Sequence, residues 1–288
     1  MKITEILEKG KPTISFEVFP PKQLSNYDSV VRAAGEIASL KPDFMSITYG
    51  AGGGTSEYTV NIANDIQEKY DVPTISHLTC ICSSKKDIEH QLKLIQDNGI
   101  ENVLALRGDI PQDRSLMDNS EFDHAIDLIR LIKEETDLCV GGACYPDGHV
   151  ECEHKDDDIE FIREKVDAGL DFLTTQMFFD NSVLYNYLYR LREKGVAVPV
   201  FAGIMPITNK KQIATSTSLS GTYLPQRFVS IADRFGDDPE AMKQAGIAYA
   251  TEQIVDLIAN GVNGIHVYSM NKPDVAEGIM NNLRTIIR

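Results

Sequence analysis

The sequence predicts an α/β fold, a (β/α)8 barrel (TIM barrel), as a single domain over residues 1–288. Short apolar runs rich in β-branched residues alternate with longer amphipathic runs, which is the pattern of βα units. About eight such units follow one another with no linker or low-complexity tract, as in a closed barrel. An open doubly wound sheet is the alternative. It is disfavoured because no Gly-x-Gly-x-x-Gly follows the first strand.

Each predicted strand is an apolar run bounded by turn-forming or charged residues. The predicted strands are Thr13–Phe19, Asp43–Thr48, Pro73–Thr79, Asn102–Arg107, Leu138–Cys144, Asp171–Gln176, Ala197–Gly203 and Gly264–Val267. The glycine-rich stretch 50–54 lacks the spacing of a nucleotide-binding turn, so a loop is expected there.

The helices between the strands are predicted from amphipathic runs and their caps. The predicted helices are Ser25–Ser39, one from near Ser56, one opening at Ser83-Ser84, Ser120–Glu135, Asp156–Ala168, Ser182–Lys194, Pro239–Ala259 and Val275–Ile287. Glycines occur where four of these helices should end, at Gly99, Gly169, Gly195 and Gly261. Asp238-Pro239 is a cap followed by proline at the first helical position.

Composition excludes several classes of function. The net charge is −15 and no Lys/Arg cluster is evident, so no nucleic-acid partner is expected. The sequence has no apolar run of membrane-spanning length and no signal-peptide core at its N-terminus. Five cysteines favour reduced thiols and a cytoplasmic protein. Cys80 and Cys82 could share a metal, but no second ligand pair follows, so buried thiols and no metal are expected.

Polar residues recur where the predicted strands end. They are Glu17, Thr48, Tyr49, His77, Arg107, Asp109, Tyr145, Gln176, His266 and Tyr268. Because the carboxyl ends of barrel strands meet at one mouth, these side chains should converge on one pocket. Taken singly, Glu17 could belong to a structural ion pair, His77 and His266 could be core histidines, and Lys165 could be a solvated helix lysine. The common placement favours an active site.

Several motifs in this order resemble the methylenetetrahydrofolate reductase family. They are "ISFEVFPPK", "SITYGAGG", "SHLTC", "ALRGD", "ACYPDGH", "REKVDAGLDFLTTQMFFD", "GIMPITNKKQ" and "GIHVYSMNK", between about residues 12 and 272. The resemblance implies a flavin-bearing barrel enzyme that reduces 5,10-methylenetetrahydrofolate to 5-methyltetrahydrofolate by ping-pong hydride transfer through FAD.

The resemblance also implies roles for two carboxylates. Glu17 matches the general acid that protonates N10 and opens the folate ring to an N5 iminium cation. Its apolar neighbours Phe16, Val18 and Phe19 would favour the neutral carboxylic acid. Asp109 matches a carboxylate beside the flavin, which stabilises the iminium cation and disfavours the anionic reduced flavin.

The remaining contacts are carried over by the same resemblance. FAD contacts are expected at Thr48, Tyr49, Ala51, His77, Arg107, Gly108, Asp109, His124, Ala125, Tyr145, His149, Asp158, Phe161, Glu164 and Lys165. Substrate contacts are expected at Glu17, Gln176, Gln212 and Lys272. Tyrosine is more usual than His124 in the family, and arginine is more usual than Lys272. Lysine keeps the charge but loses the bidentate fork, and it is expected to meet a carboxylate of the glutamate tail.

One departure concerns the electron donor. Ser216 stands where bacterial members have an aromatic residue, with Tyr223 or Phe228 as substitutes. The missing aromatic residue disfavours docking of free NADH, so a partner protein or another carrier is expected as the electron donor, with NADH as the alternative.

The further expectations are a homo-oligomer, no membrane, no regulatory domain and no inhibition by S-adenosylmethionine. Two alternatives are a non-catalytic flavin-binding subunit of an electron-transfer complex and a flavin-free pterin-binding barrel methyltransferase.

Overall fold

The computed structural model describes residues 1–21, 23–49, 56–111, 113–117, 120–152, 154–213 and 221–288. Two residues of the sequence predictions, Ala51 and Ser216, lie outside these ranges.

Eight parallel strands close into a barrel in the order in which they occur along the chain. The strands are β1 Thr13–Val18, β2 Phe44–Ile47, β3 Thr74–Thr79, β4 Asn102–Leu106, β5 Cys139–Cys144, β6 Phe172–Thr175, β7 Val200–Ile204 and β8 Gly264–Tyr268. β1 pairs with both β2 and β8, which closes the sheet. The predicted fold class is therefore confirmed.

Except for the first helix, which precedes β1, the helices follow strands and cover the outside of the barrel. They are α1 Ile3–Leu7, α2 Tyr27–Ala38, α3 Ser56–Tyr70, α4 Lys85–Asp97, α5 Ala125–Glu135, α6 Lys155–Asp167, α7 Asn181–Glu193, α8 Gln226–Phe235, α9 Pro239–Ala259 and α10 Pro273–Leu283. Short 3-10 turns occur at Leu24–Asn26 and Arg114–Met117, and residues 210–213 are also helical. Within the described ranges, none of these helices combines the length and the apolar character needed to cross a bilayer.

The predicted strands match those observed to within a few residues, whereas two helix features differ. The helix predicted from Ser120 begins at Ala125, with His124 as its N-cap, because the Asp127 carboxylate accepts a hydrogen bond from the His124 backbone N–H. The short helix α1 was not predicted.

The lower interior of the barrel is apolar and closed by α1. Ile3 and Ile6 pack against side chains from several strands, including Phe44, Phe172 and Phe201. Asn102 holds the plug in place, because its Oδ1 accepts a hydrogen bond from the Ile3 backbone N–H at 2.9 Å. With this end filled, the open end for a ligand is the one at the carboxyl ends of the strands.

The upper interior of the barrel is polar. Side chains alternate across each strand, so Ser15 and Glu17 point inward while Ile14, Phe16 and Val18 belong to the outer apolar core. A Cβ on Gly203 would lie 2.3 Å from the Thr175 carbonyl oxygen and 2.8 Å from the Tyr268 ring. Glycine there gives Tyr268 the space to donate a 2.6 Å hydrogen bond to that carbonyl.

Candidate active site

Glu17 lies at the mouth of the barrel between two histidines. Its Oε2 is 3.4 Å from His266 Nε2 and 3.6 Å from His77 Nε2. Both imidazoles are buried, while the Glu17 side chain is 17% exposed. On β1, Glu17 stands opposite Ser46 on β2 and Tyr268 on β8. The two histidines lie on β3 and β8, so the contact joins side chains of three strands. The strand pairing brings together three residues that the sequence had placed at the same end of the barrel.

His266 links Ser15 to Glu17. The Ser15 hydroxyl donates to the Ile265 carbonyl at 3.1 Å, and Ser15 Oγ lies 2.8 Å from His266 Nδ1. In the tautomer in which Nδ1–H donates to Ser15 Oγ, the Nε2 lone pair faces Glu17 Oε2. The acid form of Glu17 can donate its proton to that lone pair. A carboxyl group held in this way can deliver a proton to a ligand at the mouth.

His77 is a neutral imidazole beside the same carboxyl group. Burial lowers the pKa of His77 to about 4, although the charge of Glu17 acts in the opposite direction. Ser46 Oγ lies 2.6 Å from His77 Nε2 and fixes the orientation of the ring. His77 therefore adds no positive charge to the mouth at neutral pH.

His77 should make the protein sensitive to acid. Its pKa is about 4 in the folded chain and 6.5 in the unfolded one, so the unfolded state binds more protons between these values. The contribution of His77 to the unfolding free energy is then fully present above pH 6.5 and is lost as the pH falls toward 4. Between about pH 7 and 4.5, the unfolding free energy of the wild type should therefore fall by about 2 to 3 kcal/mol more than that of His77→Gln.

Urea unfolding at both pH values measures this effect. His90→Gln is the matched control, because His90 is exposed on α4 and should leave the pH dependence as in the wild type. Equal pH dependence in wild type and His77→Gln would refute the role of His77.

A cavity of about 500 Å³ lies at the carboxyl ends of β4 and β5, beside the start of α5 and along α6. Most of the predicted flavin contacts line it: Arg107, His124, Ala125, Tyr145, His149, Asp158, Phe161, Glu164 and Lys165. Its volume is in the range of small-molecule and cofactor sites. Thr48, Tyr49, His77, Gly108 and Asp109 lie at the ends of β2, β3 and β4, outside the lining of this cavity.

Two cations, Arg107 and Lys165, line this cavity together with the carboxylates Glu151, Asp157, Asp158 and Glu164. Arg107 forms two hydrogen bonds to the Glu151 carboxylate, of 2.7 and 2.9 Å. This contact raises the pKa of Arg107 and lowers that of Glu151. Burial lowers the pKa of Lys165, and the nearby Asp158 opposes that shift. Arg107 and Lys165 are therefore the groups here that could meet phosphate oxygens.

The residues fit an FAD molecule by two further features, and a glycine shapes the adjoining loop. Asp158 is 6% exposed, and its Oδ2 has no hydrogen-bond partner among the described residues. Such an orphaned acceptor suits a ligand hydroxyl. The Phe161 ring is 53% exposed at the cavity wall, where it could stack on a base. Gly108 has φ +93°, and a Cβ there would lie 2.8 Å from Ile81 Cγ2, so only glycine lets the backbone follow this path.

The predicted substrate contacts lie around the rest of the mouth. Gln176 directly follows β6, and its Oε1 accepts from the Met177 backbone N–H at 2.9 Å. Gln212 and Lys272 come from different loops and meet at Thr208. The Thr208 hydroxyl donates to Gln212 Oε1 at 3.2 Å and accepts from Lys272 Nζ at 2.6 Å. Asp109 is exposed on the loop after β4. The structure thus brings Glu17 beside His77 and His266, and Gln212 beside Lys272.

The loop after β8 is tied to the end of β1 next to Glu17. The Ser269 hydroxyl donates to the Glu17 carbonyl at 2.5 Å. The Asn271 side chain accepts from the Phe19 backbone N–H at 3.0 Å and donates to the Phe19 carbonyl at 2.9 Å. Met270 and Asn271 both have positive φ, 54° and 52°. This loop fixes the backbone of the strand that carries Glu17.

Sequence reasoning missed Ser15, Ser46, Thr208 and Asn271. Ser15 had one usable signal, since it lies two residues before Glu17 and therefore on the same strand face. The others depend on contacts between distant segments.

Cys80 is buried, and burial raises the pKa of its thiol to about 12, so the thiol is protonated at neutral pH.

Several known proteins are similar to this chain over most of its length. A profile of the family described as methylenetetrahydrofolate reductase matches residues 2–284. "Methylenetetrahydrofolate reductase (NADH) 1" of Arabidopsis thaliana is 35% identical over 298 residues, which cover 99% of this chain and 50% of that protein. "5,10-methylenetetrahydrofolate reductase" of Pectobacterium carotovorum is 31% identical, covering 96% of this chain and 91% of that one. The Escherichia coli protein of the same name is 30% identical, covering 96% and 92%.

The chain thus spans about half the length of the plant relatives and nearly all of the bacterial ones. Among solved structures, a Clostridium thermocellum protein described as binding two copies of 5-methyl-5,6,7,8-tetrahydrofolic acid superposes with a TM-score of 0.71. The two chains are 14% identical, and the match covers 98% of this chain and 97% of that one, which supports the barrel fold. From the profile match and the bacterial relatives, this chain belongs to the methylenetetrahydrofolate reductase family.

Proposed function

We propose that this chain catalyses the FAD-dependent reduction of 5,10-methylenetetrahydrofolate to 5-methyltetrahydrofolate by a ping-pong mechanism. The observation that carries the proposal is the Glu17 carboxyl group facing two buried imidazoles, beside a cavity lined by most of the predicted flavin contacts. The family and the names of the bacterial relatives support the same reaction.

The residues of the mouth divide into acid, anion and cofactor-holding groups. Glu17 donates a proton to N10 of the substrate, which opens the ring and leaves an electrophilic N5 iminium cation. Asp109 supplies a negative charge that stabilises this cation. Arg107 and Lys165 would hold the FAD phosphates, and Asp158 a cofactor hydroxyl. FAD, when bound, supplies the hydride that the opened substrate accepts.

The donor that we propose is NADH, because the plant relatives carry that name. Another carrier or a partner protein stays a prediction, since Ser216 lies outside the described residues. A homo-oligomer also stays a prediction. A cytoplasmic location is supported by five free cysteines, which are typical of reducing compartments.

An anaerobic titration of the purified, FAD-containing protein tests the proposal. We expect NADH and 5-methyltetrahydrofolate each to bleach the flavin absorbance, with NADPH as the comparison donor. Bleaching by the folate but not by either nucleotide would favour a partner protein as donor. Bound FAD that no folate reduces would favour the non-catalytic flavin subunit, and a protein that cannot be reconstituted with FAD would favour the methyltransferase.

A further inference from the structure

Thr208 connects the two predicted folate contacts that come from different loops. Lys272 Nζ donates to Thr208 Oγ1 at 2.6 Å, and Thr208 Oγ1 lies 3.2 Å from Gln212 Oε1. An ammonium group can only donate, so the single hydroxyl hydrogen of Thr208 must go to Gln212. Thr208 is 6% exposed, so water competes little for this hydroxyl. The direction of both hydrogen bonds is therefore fixed.

Gln212 is fixed in one amide orientation by the same segment. Its Oε1 also accepts from the backbone N–H groups of Thr208 at 2.9 Å and of Asn209 at 3.2 Å. With three donors on the oxygen, Gln212 can offer a ligand only its NH2 group. Lys272 likewise offers only N–H donors. The two side chains together therefore select a ligand group that accepts hydrogen bonds.

Lys272 is also fixed through its backbone. The preceding residue, Asn271, is bonded through its side chain to both backbone groups of Phe19, and the Lys272 N–H donates to the Ser269 carbonyl at 3.0 Å. The lysine therefore leaves a loop tied to β1, and its tip is tied to Thr208. A long flexible side chain held at both ends loses less entropy when it binds an anion.

We propose that Thr208 is a positioning residue that makes this part of the mouth a donor-only site for the acceptor-bearing tail of a folate. That tail carries the benzoyl carbonyl and the glutamyl carboxylates. The inference rests on the proposed function and deepens it, because it assigns recognition of the tail to a residue that is not itself expected to touch the reacting atoms.

Binding of two folates that differ only in the tail tests this inference. The probes are 5-methyltetrahydrofolate and 5-methyltetrahydropteroate, which lacks glutamate, and the readout is the concentration that half-bleaches the flavin anaerobically. In Thr208→Val we expect this concentration to rise about 10-fold for the glutamylated probe, the scale of one lost hydrogen bond to a charged group. The rise should be smaller for 5-methyltetrahydropteroate, which keeps the benzoyl group as a carboxylate but has no glutamyl carboxylates.

Two further variants make the result specific. Thr208→Ser keeps the hydroxyl, and its half-bleaching concentration should stay within about 2-fold of the wild-type value. If the effect came from packing of the threonine methyl group, serine would not restore it. Thr251→Val is the control, because it removes a threonine hydroxyl that is bonded to the Ile247 carbonyl on α9. If Thr208→Val is insoluble, Thr208→Ala removes the same hydroxyl without adding volume.

The outcomes separate the two proposals. An unchanged half-bleaching concentration in Thr208→Val, or an equal rise for both probes, would overturn the role of Thr208. A wild-type flavin that 5-methyltetrahydrofolate does not bleach would instead overturn the proposed function. Flavin content and the midpoint of urea unfolding should be the same in all variants, and this shows that the fold and the cofactor site are intact.

Discussion

Replacing Glu17 by glutamine is expected to slow the reduction of methylenetetrahydrofolate by about 10²- to 10⁴-fold, the range of a lost general acid. The variant should still bind FAD, and NADH should still bleach the flavin at close to the wild-type rate. The physical reason is that only the folate half of the reaction needs a proton at N10, and an amide cannot provide it at neutral pH.

The structure explains why this substitution should leave the site intact. Glu17 Oε2 lies 3.4 Å from His266 Nε2, whose lone pair faces the carboxyl group when Ser15 accepts the proton of Nδ1. The NH2 group of a glutamine can donate to that lone pair in place of a carboxyl O–H. The side chain keeps its length and its partner, so the lost activity reports the missing proton and not a collapsed mouth.

Stopped-flow measurement of the two half-reactions decides this prediction. Glu89→Gln is the control, since it makes the same chemical change at a carboxylate on α4 that is 43% exposed. If Glu17→Gln reduces the folate at the wild-type rate, the acid is another group. If both half-reactions slow together, the carboxylate has a structural role and the ion-pair reading of Glu17 is preferred.

The architecture could be predicted because its signals are local. Each βα unit carries its own apolar run and amphipathic run, so the barrel and the end at which Glu17, His77 and His266 lie could be predicted without tertiary information. The short helix α1 was missed because its five residues form too short a pattern. Its role as a plug depends on distant phenylalanines on the barrel strands, Phe44, Phe172 and Phe201.

The hydrogen-bond partners could not be predicted because they join distant segments. Ser15 and His266 are 251 positions apart and meet only when β1 pairs with β8. Thr208 and Lys272 are 64 positions apart and belong to loops whose paths depend on several turns. A sequence pattern gives the face on which a side chain lies, but the neighbour across the barrel follows from strand register.

Asp109 is the second residue whose replacement should have a large effect. It directly follows Gly108, whose positive φ turns the loop after β4, and it is exposed at the mouth. The neighbouring Arg107 is engaged by the Glu151 carboxylate, so the charge of Asp109 is not paired with it in a hydrogen bond. An anion in this position can stabilise a cation that forms on the folate, most strongly when the bound ligands exclude water.

Asp109→Asn should therefore slow the folate half-reaction by about 10²-fold, the scale of a lost electrostatic contact in a closed site, and flavin reduction by NADH much less. The asparagine has the same shape, so FAD content and unfolding midpoint should stay at wild-type values. Asp113→Asn removes a charge from the same loop and is the control. Both half-reactions are followed by stopped-flow absorbance of the flavin. Because an iminium cation occurs only with folate, an equal loss in both half-reactions would contradict this role and indicate that Asp109 acts on the flavin.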